Sequence, residues 1–198
     1  VTTTPAPSNT PAPYQRRVEE AVSAIAQSMQ EKTELTEWEA FTLGRMGFRL
    51  PENGMEPICN AVAEAQGDFR KVTDLERYIL TLTANGFDAS SYEGMTLIEK
   101  MLNHENMMMQ GINGPAFALL ALDSADYGVP EGTKWNRKSL LNVILESQNE
   151  DGSFSLEKGG DPDPDLTAMA VQALASYQEN TQVRTAADKA LDWLGKQQ

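Results

Sequence analysis

A unit of two helices recurs along this chain with a period of roughly 40 to 50 residues, a length typical of stacked helix pairs. Apolar residues return at helical spacing from Tyr14 onwards, and no segment alternates convincingly like a β-strand. The first helix of each unit ends at an aromatic residue, and these residues are 39, 40 and 50 positions apart: Phe48, Phe87, Tyr127 and Tyr177. The second helix ends at a glutamine, with spacings of 44, 38 and 49: Gln66, Gln110, Gln148 and Gln197. The repeat therefore predicts an all-α fold.

The two helices of a unit differ in where their apolar residues lie. Segments 117–125 and 166–177 are rich in alanine and apolar on several sides, whereas 140–145 and 187–194 carry one apolar stripe opposite charged residues. We therefore predict that the first helices form an inner layer and the second helices an outer layer. Such pairs stack either as an open solenoid or as a closed α/α toroid.

Small residues on the inner helices favour the toroid, because they allow these helices to crowd around an axis. They are Ala168, Ala170, Ala173 and Ala175. The layered arrangement predicts that three apolar side chains are buried, namely Leu120, Met169 and Leu174. It predicts that two charged side chains of the last outer helix, Lys189 and Asp192, are exposed.

Several helix starts carry side chains suited to capping. Thr36 precedes a helix with glutamates in its first turn, and Asn113 precedes a mainly apolar helix. Thr73 is followed three residues later by Glu76, which is the spacing of a capping box. The apolar spacing within residues 95–109 predicts one further helix.

Composition excludes several classes of function. The formal net charge of −13 argues against binding to nucleic acids or to anionic membrane surfaces, which requires clustered Lys and Arg. No apolar run approaches the ~18 residues of a membrane span, so we expect no membrane insertion. Cys59 and His104 are the only residues of their types, which excludes an internal disulfide, a cysteine zinc cluster and a two-histidine metal site.

Residues 1–13 have the composition of an extended linker, with Thr, Pro, Ala, Ser and Asn and a single Val. We therefore divide the chain into a linker, 1–13, and a helical domain, 14–198. Thr/Pro tethers of this kind are common in exported surface proteins, which predicts an extracellular or cell-surface location. A remnant of a domain boundary is the alternative interpretation.

The most distinctive stretch is residues 148–175, which ends one helix, forms a glycine turn and an acidic loop, and begins another helix. Asp163 is suited to cap that helix, with Pro164 as its first residue and Asp165 in its first turn. The alternating carboxylates Asp161, Asp163 and Asp165 also suggest the start of a calcium loop. The Gly and Glu that an EF-hand requires further on are Leu166 and Gln172 here, so only a calcium site of another kind stays open.

The same stretch resembles a known family. Gln148 to Phe154 is similar to the Gln-x-x-x-Gly-x-Phe/Trp repeat of the squalene–hopene cyclase and protein prenyltransferase toroids. The segment from Asp163, DPDLTAMAVQALA, resembles the Asp-x-Asp-Asp-Thr-Ala segment of the cyclases and the Asp-Thr-x-Ala-Met-Ala segment of the cobalamin carriers transcobalamin and intrinsic factor. Exported proteins of Gram-positive bacteria carry similar domains.

This resemblance implies an α/α toroid of the terpenoid cyclase/protein prenyltransferase superfamily. The sequence supplies four helix pairs, and a helix at 14–30 would be the outer half of a fifth, so we expect an incomplete or truncated toroid. We accordingly expect further domains of the same protein beyond this chain.

Departures from the family pattern bear on catalysis. The cyclases protonate an alkene with an aspartic acid that is kept neutral beside other carboxylates. Leu166 stands where the third carboxylate of that motif would lie, and Cys59 and His104 occupy unrelated points of the repeat, which disfavours a prenyltransferase zinc site. We therefore predict no catalytic residues.

The resulting interpretation is a non-catalytic exported module that binds a small ligand in the concave mouth of the helical layer. The carrier resemblance implies a cobalamin-like ligand. If the inner helices are parallel, their N-termini gather at one end, where six residues are candidate ligand contacts: Trp38, Asp74, Asn113, Asp163, Asp165 and Thr167. A terpene-cyclase-like enzyme and a structural or adhesion stalk are the alternatives.

Overall fold

Nine α-helices run through residues 13–197, which are the residues that the computed structural model describes. They are α1 Pro13–Gln30, α2 Glu37–Arg45, α3 Glu56–Ala65, α4 Val72–Ala84, α5 Leu97–Leu102, α6 Asn113–Asp123, α7 Arg137–Ser147, α8 Pro164–Leu174 and α9 Thr181–Gly195. A 3₁₀ turn, Ala175–Tyr177, extends α8. This part of the chain contains no strand beyond an isolated bridge between Tyr92 and Met95, so the all-α prediction is confirmed. The predicted linker lies outside the described residues, apart from Pro13.

The first helices of the four pairs, α2, α4, α6 and α8, pack against one another in chain order. Two hydrogen bonds show that α2 and α4 run in the same direction: Thr81 Oγ1 donates to the Glu37 carbonyl (3.1 Å), and Asn85 Nδ2 donates to the Ala40 carbonyl (3.1 Å). The second helices α5, α7 and α9 pack on α4, α6 and α8 respectively. The first helices therefore form one continuous layer.

Three first helices end in the same hydrogen-bonded turn, and this turn is the physical basis of the aromatic spacing. A left-handed residue follows each helix, namely Gly47, Gly86 and Asp126. The next residue is the aromatic one, and its N–H donates to a leucine carbonyl one turn back: Phe48 to Leu43 (2.9 Å), Phe87 to Leu82 (3.0 Å) and Tyr127 to Leu122 (2.8 Å). This is the Schellman arrangement, which satisfies carbonyls at the helix end.

Burial follows the predicted layers with two corrections. Leu174 is buried, and Lys189 and Asp192 are exposed, as predicted. Leu120 and Met169 were also predicted to be buried, but both are only half-buried. The reason is that both side chains line an open cavity on the first-helix layer rather than the core behind it.

The predicted helix at 95–109 is wrong in length, because α5 ends at Leu102. Two contacts compete with its continuation. The Leu102 carbonyl accepts a hydrogen bond from the distant Trp135 N–H (3.0 Å), and His104 Nδ1 accepts one from the Asn106 N–H (3.0 Å). Gln110 therefore lies in the turns before α6 instead of closing a second helix.

The capping predictions differ in outcome. Thr36 forms the expected capping box with Glu39 at the start of α2. Thr73 does not cap α4, which already begins at Val72; its hydroxyl instead donates to Gln110 Oε1. Asn113 is the first residue of α6 and makes no cap, since its Nδ2 donates back to the Gln110 carbonyl (3.1 Å).

Helix α1 lies at one end of the helical layer and packs on α2. Its apolar stripe is only partly covered: Ala26 is buried, whereas Val18 and Ile25 are 58% and 55% exposed. Within residues 13–197, no helix combines the length and the apolar composition needed to cross a membrane.

Candidate functional site

All four first helices contribute to one open cavity of about 860 Å³. Its apolar wall is formed mainly by six side chains: Trp38, Phe41, Leu80, Phe117, Leu120 and Met169. A volume of this size falls in the range of pockets that take drug-sized ligands. The cavity is therefore the concave surface on which a binding function would depend.

Three aromatic rings meet at the α2–α6 side of the cavity. The Trp38 ring lies 5.7 Å from the Phe41 ring at an interplanar angle of 85°, and 6.2 Å from the Phe117 ring at 52°. Both geometries are in the range preferred by aromatic pairs. Trp38 nevertheless remains 44% exposed, so a large aromatic surface of the cavity is open to a ligand.

Several polar groups of the cavity are already occupied by the protein. Asp123 accepts hydrogen bonds from the Tyr177 hydroxyl (2.9 Å) and from Arg137 Nε (3.3 Å). The Thr83 and Tyr127 hydroxyls are hydrogen-bonded to each other (2.8 Å). These groups hold neighbouring helices together and leave little hydrogen-bonding capacity for a ligand.

Two charged side chains of the cavity are not occupied in this way. Arg45, in the last turn of α2, and Asp165, in the first turn of α8, have no side-chain partner within residues 13–197. Asp165 is the second residue of α8 and lies at the same end of the layer as Trp38, because hydrogen bonds join the opposite ends of α4 and α6 (Thr83–Tyr127) and of α6 and α8 (Asp123–Tyr177). The Trp38–Arg45 segment spans ~10 Å of helix, so opposite charges lie towards opposite ends of the cavity.

The structure places three of the six candidate contact residues on the cavity: Trp38, Asn113 and Asp165. Each is the first of a series of residues that line the cavity and lie about one helical turn apart. Trp38 leads to Phe41 and Arg45, Asn113 leads to Phe117, Leu120 and Ser124, and Asp165 leads to Ala168, Met169 and Gln172. The rest of the lining could have been found in the sequence by extending each N-terminal residue along its helix with the 3.6-residue period.

The other three candidates lie elsewhere and make structural contacts. Asp74 pairs with Arg77 (3.0 Å), which also contacts Glu37 (3.2 Å) between α2 and α4. Asp163 Oδ1 caps α8 by accepting the N–H groups of Asp165 (2.8 Å) and Leu166 (3.0 Å).

Thr167 is buried behind the cap. Its hydroxyl donates to the Asp163 carbonyl (2.7 Å) and accepts the Phe154 N–H (2.9 Å). The hydrogen bond to Phe154 thereby attaches the glycine turn before the acidic loop to the first turn of α8. No group of three His, Cys, Asp or Glu residues in the described part of the chain is arranged to hold a metal ion, and this includes Asp161, Asp163 and Asp165.

Sequence reasoning missed the most unusual carboxyl group of the molecule. Glu76 is fully buried on α4, and neither carboxyl oxygen has a hydrogen-bond partner among the described residues. Burial raises the pKa of Glu76 well above its ordinary value, because desolvation disfavours the charged form. The residue lies one helical turn before Leu80, a cavity-lining residue, but does not itself line the cavity.

The chain was compared with family models, with curated proteins and with solved structures, and it matches none of them.

Proposed function

We propose that the protein is a non-catalytic binding domain that holds a small, mainly apolar ligand in the cavity formed by α2, α4, α6 and α8. The observation that supports this proposal is the open aromatic wall around Trp38, which the protein leaves partly exposed next to Phe117. Covering this surface with a ligand removes apolar area from water at roughly 25 cal/mol per Å². An export role and a toroidal closure of the layer, as the family resemblance implies, belong to the same proposal.

The aromatic wall also favours binding over a purely structural role. A stalk or adhesion domain gains nothing from an open apolar cavity, because exposed apolar surface lowers solubility and large apolar patches are uncommon on monomeric proteins. A ligand site requires such a surface together with a few polar groups that orient the ligand. Arg45 and Asp165 are suited to that second requirement.

Acid-catalysed cyclisation is the alternative, and the cavity carries no suitable proton donor among its described residues. Asp165 is exposed, Asp123 is bound to Arg137 and Tyr177, and Glu76 is buried outside the lining. We therefore expect no cyclic product from squalene or a linear polyprenyl diphosphate. A product that disappears in Glu76→Gln or Asp165→Asn would replace binding with catalysis.

The binding proposal can be tested with a neutral apolar probe, N-phenyl-1-naphthylamine, whose fluorescence rises in apolar surroundings. We expect saturable binding of one probe per protein, accompanied by a change in tryptophan fluorescence. Native mass spectrometry of protein purified from its source should reveal a retained small molecule.

Two alanine substitutions on α8 and its extension provide a matched pair. Ala168→Phe adds a ring inside the cavity wall and should abolish probe binding, whereas Ala175→Phe adds the same ring at an exposed position outside the cavity. Absence of saturable binding in the wild type, or equal binding by the two variants, would contradict the proposal.

A further inference from the structure

We propose that the ligand carries a cationic group, such as an ammonium, which lies at the end of the cavity formed by Trp38 and Asp165. This inference rests on the proposed function, because it names the class of molecule that the same cavity takes. The apolar body of the ligand would lie along the wall towards Arg45.

The aromatic cluster is the first argument. The Trp38 ring is inclined at 85° to the Phe41 ring and at 52° to the Phe117 ring. The three rings therefore present surfaces in more than one direction. The face of a tryptophan ring attracts cations through its quadrupole, and several rings around one point form the cages that bind quaternary ammonium groups. The exposed 44% of Trp38 leaves this interaction available.

The second argument is the state of the two carboxylates that line the cavity. Asp123 is neutralised by Arg137 and hydrogen-bonded by Tyr177. Asp165 has no ion-pair partner within residues 13–197. The side chain of the neighbouring Asp163 differs, because it accepts hydrogen bonds as the cap of α8. Asp165 therefore supplies the only uncompensated negative charge among the described lining residues.

Charges around this end of the cavity agree with the assignment. Glu37 and Asp74 share the single cation Arg77, so this trio carries one net negative charge and does not cancel that of Asp165. The net charge of −13 attracts cations towards the molecule and repels anions. Arg45 lies ~10 Å from Trp38 along α2 and forms no ion pair with Asp165.

Three molecules with ten-carbon chains test the charge preference: decyltrimethylammonium, decanol and decanoate. Binding to the wild-type chain is measured by isothermal titration calorimetry below the concentrations at which the compounds form micelles, at fixed ionic strength. We expect the cation to bind about tenfold more tightly than the alcohol, a difference of ~1.4 kcal/mol. The carboxylate should bind most weakly.

Variants at the proposed end show whether the preference arises there. Asp165→Asn and Trp38→Leu should each remove most of the preference for the cation while decanol still binds, and Trp38→Phe should retain part of it. Asp192→Asn is the control, since it removes the same charge from an exposed position of α9. An equal loss in Asp192→Asn would show that only the overall charge acts, which overturns the assignment to this end.

The remaining outcomes separate this inference from the proposed function. Equal binding of the three molecules overturns the cationic ligand but leaves the apolar cavity as the binding site. Preferential binding of decanoate that is lost in Arg45→Gln also overturns it and places an anionic group at the opposite end. Binding of none of the three, together with no binding of the neutral naphthylamine probe, removes the proposed function itself.

Discussion

Glu76 shows how strongly one residue can differ from its sequence pattern. Its position three residues after Thr73 is typical of a capping box, but α4 begins two residues too early, at Val72, and the Thr73 hydroxyl donates to Gln110 instead. The Glu76 carboxyl is consequently buried without a hydrogen-bond partner among the described residues, and this costs much more free energy when the group is charged than when it is protonated. The raised pKa of Glu76 follows from this desolvation.

We expect Glu76→Gln to change the pH dependence of stability. Because the folded-state pKa is raised above the ordinary 4.5, the folded protein keeps a proton that the unfolded chain releases as the pH rises through that value. The free energy of unfolding of the wild type should therefore fall between pH 5 and pH 8, and that of Glu76→Gln should fall less. Urea unfolding at both pH values measures the difference.

The exposed Glu64→Gln on α3 is the control for loss of one carboxyl group. It should follow the pH dependence of the wild type. Parallel behaviour of wild type and Glu76→Gln would mean that Glu76 is ionised or solvated in the folded protein, contrary to its complete burial.

At the scale of the helix, α8 illustrates how a local motif can be recognised without its tertiary surroundings. Asp163 is extended (φ −127°, ψ 122°), Pro164 is the first helical residue, and the Asp163 side chain accepts two N–H groups of the first turn. This geometry depends only on neighbouring residues. The capping interpretation of the acidic loop is therefore confirmed.

Substitutions of the capping residue Asp163 should lower the stability of the protein, and alanine should lower it more than asparagine. Asp163→Ala should decrease the free energy of unfolding by ~0.5–2 kcal/mol, and Asp163→Asn should restore most of the loss because Asn also caps. Thermal melts followed by circular dichroism measure both changes. The melts are repeated with calcium at fixed ionic strength, and equal shifts in wild type and Asp163→Asn are expected. A calcium shift confined to the wild type would identify a metal site instead.

At the scale of the whole molecule, the excess of acidic residues has a consequence for stability. The chain carries 29 Asp and Glu against 16 Lys and Arg. Most side chains that form ion pairs are at least partly exposed, as in Lys134–Glu105 and Lys100–Asp68, and such pairs contribute little. Repulsion between uncompensated carboxylates is therefore the larger electrostatic effect on the folded state.

Sodium chloride should accordingly raise the melting temperature of the protein at neutral pH, because added salt screens repulsion between exposed charges. Differential scanning calorimetry at low and moderate salt checks this expectation, with an uncharged osmolyte of equal osmolarity as the control. A melting temperature that falls with salt would show that attractive pairs such as Arg137–Asp123 outweigh the repulsion.

The features that could be predicted from the sequence are those that depend on neighbours along the chain. Helical periodicity predicted the all-α fold, the spacing of the aromatic residues predicted that α2 and α4 end close to Phe48 and Phe87, and Thr36 and Asp163 were identified as caps. The repeat also predicted that Trp38, Asn113 and Asp165 lie at the starts of three first helices, α2, α6 and α8. All three line the cavity.

Features that depend on hydrogen bonds between residues far apart in the sequence could be identified only from the tertiary structure. The Trp135 N–H donates to the Leu102 carbonyl and competes with the continuation of α5, and the Thr73 hydroxyl donates to the Gln110 side chain. Asp123 accepts hydrogen bonds from both Arg137 and Tyr177. Whether a carboxylate lies free on the cavity or paired between helices is likewise decided by such contacts. A hydrogen-bond partner tens of residues away leaves no periodic trace in the sequence, whereas a cap or a Schellman turn is complete within six residues.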